Sequence, residues 1–286
     1  VRIAAGAHIE RPIAIVNMIG AGVSAFTRNV VIVGEGARAT IVEVAMPIPD
    51  GAQENCALTL SLGAGARVEH IGDFCFGQPT AVRVYSLLAT LAEDSFLNST
   101  ALIWGGGLTR RQVFAKLGGA RAEARFNGAM LLAGRDHADT TLLLEHDAPN
   151  GKSRERFRAI VDDEATGVFQ GKVSVAQAAQ KTDGSMQSKA LLLSSGATMN
   201  NKPELEIFAD DVVCGHGATC GRLDAEQLFY LMARGLPRDV AEALLIEGFA
   251  SEAMTEIEHS VLREEMTAKI SAWLTRRKLR SEGDAT

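Results

Sequence analysis

The chain has 286 residues, enough for one large or two ordinary domains, and it is 47% hydrophobic but only 5% aromatic. Its formal net charge of −6 disfavours a protein that binds the phosphate backbone of nucleic acids. No apolar run approaches the roughly 18 residues that a membrane-spanning helix needs. Four cysteines at irregular spacing favour a reducing, cytoplasmic setting over a disulfide framework. Because the chain starts at Val1 rather than methionine, we expect a segment to be missing before it.

The first two thirds of the chain consist of short apolar runs separated by Gly, Asp and Asn, with no helical period between them. The runs are residues 13–16, 30–33, 40–44, 57–62, 82–88, 130–132, 141–144, 168–175 and 190–193. This pattern predicts that residues 1–211 stack as short parallel strands around an apolar core. A β-sandwich is the alternative that any all-β chain leaves open.

A Gly-Ala-Arg tripeptide precedes several of these runs. It occurs at Gly36-Ala37-Arg38, Gly65-Ala66-Arg67 and Gly119-Ala120-Arg121, and the first two copies are 29 residues apart. A repeat of this length, holding one turn and two or three short strands, favours a β-solenoid over a βαβ fold.

Two short motifs imitate nucleotide-binding loops. Gly20-Ala21-Gly22 follows an apolar run, but a new strand-like run begins at Val30 and leaves no room for the helix of a dinucleotide site. Gly151-Lys152-Ser153 ends like a P-loop, but His146 occupies the position of its first glycine. We therefore expect this chain to bind no nucleotide, and we interpret residues 146–150 as a turn.

Residues 202–213 are predicted to form an extended strand. Leu205 and Ile207 alternate with glutamates, a period of two that is typical of a strand with one covered face. Pro203 marks the start of the strand, because proline cannot donate within a ladder. We expect the strand to end in a glycine-punctuated loop over residues 214–221.

Three candidate metal ligands, Cys214, His216 and Cys220, lie in that loop, in a chain with only four Cys and six His. If the strand continues, Cys214 and His216 project on the same side because they are two residues apart. Gly215 and Gly217 are expected to let the backbone bend and to keep that side open. The pattern favours a partial metal or sulfur-handling site that another chain completes. A closed zinc site, a nucleophilic cysteine with a histidine base, and a buried cysteine beside a surface histidine are the alternatives.

The pattern becomes helical after Gly221. Asp224 is predicted to cap a helix over residues 225–233 that Gly235 closes, and Pro237 suits the first turn of a second helix. Apolar residues at steps of three to five, from Val240 to Trp273, then predict one long amphipathic helical region. We divide the chain into a β domain, residues 1–221, and a helical domain, residues 222–286. The helical domain either caps the solenoid or docks a partner.

Several blocks of the chain resemble the SufB/SufD family of iron–sulfur cluster scaffold proteins. They are Gly-Val-Phe-Gln-Gly-Lys-Val at residues 167–173, the block 202–217, and Phe229-Tyr230-Leu231 followed by Arg234-Gly235. The form Cys-x-His-Gly-Ala-Thr that starts at Cys214 is similar to the SufD-like branch of the family. Cys220 stands where the family usually has an aliphatic residue.

The resemblance implies a mainly β protein, a right-handed parallel β-helix followed by a C-terminal α-helical domain. It implies a non-catalytic scaffold subunit of a SufBCD complex that pairs with a SufB-like subunit at the β-helix end. A transient iron–sulfur cluster would form at that interface, with His216 and Cys214 as metal ligands. A SufC-like ABC-type ATPase would dock on the helices through Leu228, Phe229, Tyr230, Arg234, Leu244 and Phe249. In isolation the chain could form a homodimer.

Two other functions compete with this one. A β-helix polysaccharide lyase or hydrolase needs a groove of carboxylates and basic residues, usually with aromatic platforms for sugars. Two Trp and two Tyr in the whole chain count against that enzyme. A structural solenoid with no chemistry would leave Cys214 and His216 unexplained.

Overall fold

The computed structural model describes residues 1–49, 51–76, 80–105 and 107–283, and its strands form two parallel β-sheets of eight strands each. The chain alternates between the two sheets, so odd-numbered strands form one sheet and even-numbered strands the other. All of the paired strands are parallel, as the sequence predicts for a β-solenoid; the β-sandwich alternative is wrong.

The odd-numbered sheet contains β1 (Arg2–Ile3), β3 (Ser24–Val33), β5 (Gln53–Leu62), β7 (Val82–Leu91), β9 (Leu108–Leu117), β11 (His137–His146), β13 (Thr166–Val175) and β15 (Thr198–Ile207). The even-numbered sheet contains β2 (Ile13–Asn17), β4 (Arg38–Ala45), β6 (Arg67–Phe76), β8 (Phe96–Gly105), β10 (Glu123–Leu132), β12 (Lys152–Val161), β14 (Asp183–Leu192) and β16 (Val213–Gly221).

The space between the two sheets is filled by side chains from alternate positions of every strand. In β11, for example, every second residue is buried, which is the period expected of a strand. The resulting interior cluster runs from Ile3 to Ala209 and consists mainly of Val, Leu, Ile and Ala. All nine apolar runs overlap strands, but no run falls on β1, β6, β8, β9, β12, β15 or β16.

One corner of the solenoid repeats the same left-handed residue at successive levels. Gly36 and Gly65 hold this position with positive φ, and the Gly65 N–H donates to the Glu93 carbonyl at the next level at 2.8 Å. Two levels further on the left-handed residue is Arg121, with φ of 59°, rather than Gly119. Gly119 is required for another reason, because an added Cβ would lie 2.0 Å from the Glu93 nitrogen. The tripeptide repeat therefore marks one corner, but its third copy is shifted by two residues.

Three helices follow the last strand: α1 (Ala225–Ala233), α2 (Arg238–Ser251) and α3 (Ser260–Gly283). The Asp224 side chain accepts from two backbone N–H groups of the first turn of α1, and Gly235, with φ of 90°, ends this helix as predicted. The single long helical region expected from Val240 onward is wrong, because the chain breaks between α2 and α3 over residues 252–259.

The α2–α3 pair covers the outer face of the even-numbered sheet instead of capping an end of the solenoid. A second apolar core lies between the helix pair and this sheet. Its buried residues include Ile71, Leu102, Leu131, Ile160, Ile246, Met254, Ile270 and Trp273. Two ion pairs also join the helical segment to the sheet: Arg158 pairs with Glu252 at 2.7 Å, and Lys269 pairs with Asp73. Among the described residues, none of the helices is long and apolar enough to span a bilayer.

Candidate functional site

The solenoid ends at β15 and β16, which are the end strands of their two sheets. The predicted strand over residues 202–213 is interrupted, because β15 stops at Ile207 and a corner over residues 208–212 precedes β16. Hydrogen bonds to the level below fix this corner: the Lys181 N–H donates to the Asp211 carbonyl, and the Asp211 N–H donates to Gln180 Oε1 at 2.9 Å. Cys214 and His216 consequently lie in a strand, not in the loop that the sequence predicted.

Strand register shows which way Cys214 and His216 face. Cys214 pairs with Gly184 and His216 pairs with Met186, and paired residues of parallel strands share a face. Met186 is part of the interior cluster, so both candidate ligands belong to the inward row of β16. Cys214 is half-buried against the interior cluster, whereas His216 is exposed at the open end. The same-side placement inferred from their two-residue spacing is confirmed.

Gly215 and Gly217 lie on the outward row of the same strand. Both continue the extended backbone of β16, and a Cβ added at either position would meet no atom within 4 Å. They therefore do not bend the chain as expected. Their effect is to leave the outer side of β16, around His216, bare of side chains.

Cys220 is also on the inward row, but it pairs with Ala190 at the far end of β16. Six residues of extended chain separate it from Cys214, a span of about 20 Å. Two ligands of one metal ion lie only a few ångströms apart, so Cys220 cannot share an ion with Cys214. The structure brings together Cys214 and His216 and leaves Cys220 apart from them.

Cys214 and His216 supply soft and borderline ligands, a thiol and an imidazole, of the kind that bind iron and iron–sulfur clusters. Burial raises the pKa of the Cys214 thiol above its ordinary value, and a backbone hydrogen bond at Gly184 opposes this shift. Within the described part of the chain, no three His, Cys, Asp or Glu side chains are close enough to hold a metal ion. Cys214 and His216 are thus two candidate ligands without a third among the described residues.

A buried polar group lies two strands below this pair. Ser153 and Glu155 of β12 pair with Gly184 and Met186 of β14, so they occupy the same inward rows as Cys214 and His216. Glu155 is 0% exposed, and neither of its carboxyl oxygens has a hydrogen-bond partner. Burial raises the pKa of Glu155 to about 8, which the nearby Ser153 hydroxyl and the charge of Arg154 offset only in part.

His146 completes this buried group. Its Nε2 lies 3.1 Å from Ser153 Oγ, its Nδ1 has no partner, and burial lowers the pKa of the imidazole to about 4. The expected turn over residues 146–150 is therefore wrong at its first position, since His146 is the last residue of β11 and faces inward. A sequence signal for this group existed, because Arg154 and Arg156 alternate with Ser153 and Glu155 and arginines are rarely buried.

The six helix residues predicted to bind a partner fall into two sets. Phe229, Tyr230, Arg234 and Leu244 are exposed on α1 and α2, and the Arg234 guanidinium lies 5.2 Å from the Tyr230 ring centroid. Leu228 is the buried residue of α1, and Phe249 packs against the core beneath α2. The first set is accessible to a partner, whereas the second set is wholly or partly buried.

A comparison with known proteins identifies the family of this chain. The family model described as "SUF system FeS cluster assembly, SufBD core domain" matches residues 16–249, from β2 through most of α2. The chain belongs to the SufBD family. The matched region of this SufBD chain includes the open end at β15 and β16 and the whole of α1.

The relatives agree with this assignment. The chain is 35% identical over 237 residues to the iron–sulfur cluster assembly protein SufD of Escherichia coli (strain K12), covering 82% of this chain and 56% of that protein. It is 35% identical over 244 residues to an iron–sulfur cluster assembly SufBD family protein of Synechocystis, covering 80% of this chain and 52% of that protein. The chain thus spans about half the length of these relatives. Within the SufBD family it is SufD-like.

Proposed function

We propose that this chain is a SufD-like scaffold subunit of a SufBCD complex and is not itself an enzyme. In this complex it would pair with a SufB-like subunit through the open end of the solenoid. The observation that carries the proposal is the Cys214–His216 pair, which lies on the inward row of the last strand with an incomplete ligand set. A nascent iron–sulfur cluster, as cargo, would take its remaining ligands from the partner.

The edges of β15 and β16 support this pairing. As end strands they present backbone N–H and C=O groups that another strand can extend. The same edges could pair with a second copy of the chain, which is the homodimer expected for the isolated protein. The described cysteines Cys56, Cys214 and Cys220 are free thiols, in keeping with a reducing compartment such as the cytoplasm.

The exposed side chains of α1 and α2 are the proposed docking surface for a SufC-like ATPase. Phe229 is 72% exposed and Tyr230 56% exposed, and aromatic side chains of this kind are enriched at interfaces. We include Arg234 and Leu244 in this surface, with Leu228 and Phe249 as its support. Glu43, Glu54 and Glu155 are buried in the solenoid interior, so a polysaccharide lyase or hydrolase could not use these three carboxylates on a polymer.

Replacing His216 by alanine tests the proposal. The reconstituted complex should lose most of its iron and sulfide, because an imidazole ligand is removed at the interface. The melting temperature should stay nearly unchanged, because exposed side chains contribute within about 0.5 kcal/mol. Cys214→Ala should act in the same direction but less strongly, since its thiol is half-buried.

His8→Ala is the matched control, because His8 is an exposed histidine at the opposite end of the solenoid. This variant should retain the wild-type content of iron and sulfide. A wild-type cluster content in the His216→Ala complex would make His216 an ordinary surface histidine and reject the proposed site.

A further inference from the structure

The two strands at the open end of the solenoid differ in the backbone groups that they offer to another chain. Along a strand, successive residues direct their N–H and C=O groups alternately to one neighbouring strand and to the other. In β16 the Val213 N–H donates to the Thr182 carbonyl of the level below at 2.9 Å. The even positions of β16 therefore direct their backbone groups away from β14, where the described strands place no neighbour. We call these groups the free row of β16, and they belong to Cys214, His216, Ala218 and Cys220.

In β15 the odd positions face the free edge. The Thr198 N–H donates to the Ala165 carbonyl of the level below at 3.0 Å. At the other end of the strand, the Phe208 N–H donates to the Val175 carbonyl at 2.8 Å, so the even positions are the ones bonded below. One of the odd positions, near the middle of β15, is Pro203, which has no N–H. The free row of β15 is therefore interrupted at its centre.

Pro203 is the only proline within the described strands, and its place on a free edge has a consequence. A strand that paired along β15 would find no donor at Pro203, and one of its own carbonyl groups would stay unpaired. Natural sheets use proline and charged side chains to keep their edges from pairing with other chains. Lys202, Glu204 and Glu206 are exposed beside Pro203 on the outward row. β15 thus carries both kinds of protection.

The edge of β16 carries neither kind. The strand contains no proline and no Lys, Arg, Asp or Glu, and every residue from Gly215 to Gly221 is exposed. Gly215, Gly217 and Gly221 leave its outward row almost bare, and a Cβ added at any of them would meet no atom within 4 Å. A long exposed edge without protection is a template for pairing with another strand. β16 therefore has the features of an edge that a partner covers.

We propose that Pro203 determines which edge of the open end accepts a partner, so that a strand of the SufB-like subunit pairs with β16 and none pairs along β15. The inference rests on the proposed function and adds to it the strand that makes the contact. Paired strands lie about 4.8 Å apart, and side chains at paired positions share a face. Inward side chains of the partner strand would thus lie beside Cys214 and His216, where a cluster needs its remaining ligands.

Hydrogen exchange of the backbone amides tests the inference on the unaltered chain. Exchange is measured at single-residue resolution, for the chain alone and in complex with the purified SufB-like subunit. The N–H groups in the free row of β16 should exchange at least about tenfold more slowly in the complex, because they become hydrogen-bonded. The N–H groups at odd positions of β15, such as Leu205, should exchange alike in both samples. Equal protection of the two strands, or an unprotected β16 in a complex that forms, would overturn the inference.

Ala218→Pro tests the same point by affinity. It removes an N–H from the free row of β16 that has no partner within the sheet, so the variant should keep its melting temperature. It should weaken binding of the SufB-like subunit at least about tenfold, or about 1.4 kcal/mol. If this variant fails to fold, an ester in place of the amide at position 218 removes the same N–H and keeps the methyl side chain.

Ile207→Pro is the matched control, because it removes an N–H from the free edge of β15 instead. It should bind the SufB-like subunit with wild-type affinity. An equal loss of affinity in the Ile207→Pro and Ala218→Pro variants, or wild-type affinity with Ala218→Pro, would contradict the assignment of the contact to β16.

Pro203→Ala restores the missing donor of β15. We expect the isolated variant to self-associate at least about tenfold more tightly than the wild type in sedimentation experiments, because a second copy can then pair along β15. Unchanged self-association would show that Pro203 is not what blocks this edge. A partner strand found on β15 would overturn the inference but leave the scaffold role and the His216 experiment standing. A SufB-like subunit that does not bind at all would reject both proposals.

Discussion

Glu155 is a carboxylic acid enclosed in the solenoid, and burial makes its ionisation depend on folding. The pKa of Glu155 rises from an ordinary value of 4.5 to about 8 in the folded chain. Between these values the folded state binds a proton that the unfolded state has released. The contribution of the neutral carboxyl to stability is complete below about pH 4.5 and is lost as the pH rises through about 8.

Glu155→Gln removes this pH dependence. We expect the free energy of unfolding of the wild type to fall, relative to that of the variant, between pH 5 and pH 9. One pKa unit corresponds to about 1.4 kcal/mol, so the shift sets an upper limit of about 5 kcal/mol on the difference. Urea unfolding at pH 5, 7 and 9 measures it.

Glu204→Gln is the control for this experiment, because Glu204 is exposed on β15 and its variant should follow the wild type at each pH. A parallel pH dependence of wild type and Glu155→Gln would show that the pKa of Glu155 is the same in the folded and unfolded chains, and that burial does not raise it.

The side of the strand on which a residue lies was predictable where its spacing from another residue alone determines it. The two-residue separation of Cys214 and His216 determines a shared side in any strand, and the structure has that arrangement. Cys220 could not be separated from them by sequence, because it is near in the chain but about 20 Å away along an extended strand. Ser153 and Glu155 were missed, because a search for apolar runs passes over inward positions that carry polar side chains.

For the secondary-structure elements, the spacing of apolar residues predicted the strands well and the helix boundaries less well. β8 was missed because nine of its ten residues are buried, some by the interior and others by the α2–α3 pair. Its sequence mixes polar and apolar residues on both faces, so neither a continuous apolar run nor an alternation marks it. The break between α2 and α3 was missed because steps of three to five residues continue across residues 252–259.

The spacing of apolar residues also could not show which apolar residues of the helices are buried. Trp273 is 3% exposed in the core between α3 and the even-numbered sheet, whereas Val261 of the same helix is 63% exposed. Both belong to the predicted apolar stripe. Only the tertiary contact with the sheet distinguishes them.

Trp273→Ala should loosen α3 from the sheet. Replacing a buried tryptophan by alanine typically costs about 3–5 kcal/mol, through lost burial and the cavity that remains. Amide hydrogen exchange should show faster exchange throughout α3, together with a lower melting temperature. Val261→Ala on the same helix should leave both unchanged, and an equal loss of stability in the two variants would contradict the packing described here.

In the molecule as a whole, the α2–α3 pair covers one side of the solenoid, and β15 and β16 are the last strands at one end. The α2–α3 pair shields Leu102, Leu131 and Ile160, which are outward residues of the even-numbered sheet. The division into a β domain and a helical domain remains a prediction, but the helices are packed on the sheet through a shared core. Removing residues 237–286 would uncover that core, so such a truncation cannot separate partner docking from folding.

A surface substitution on α1 separates partner docking from folding. Phe229→Ser removes an aromatic side chain that is 72% exposed, so it should leave the melting temperature within the scatter of surface variants. If α1 docks the ATPase, the loss of an aromatic anchor should weaken the capture of a SufC-like subunit at least about tenfold, as for residues that dominate an interface.

Phe26→Ser is the matched control, because Phe26 is 73% exposed but lies on β3, near the opposite end of the solenoid. Titration of each folded variant with the purified ATPase gives the dissociation constant directly. Unchanged affinity with Phe229→Ser would remove α1 from the docking surface. An equal loss with Phe26→Ser would show that the ATPase responds to exposed aromatic residues in general, and not to the surface formed by α1 and α2.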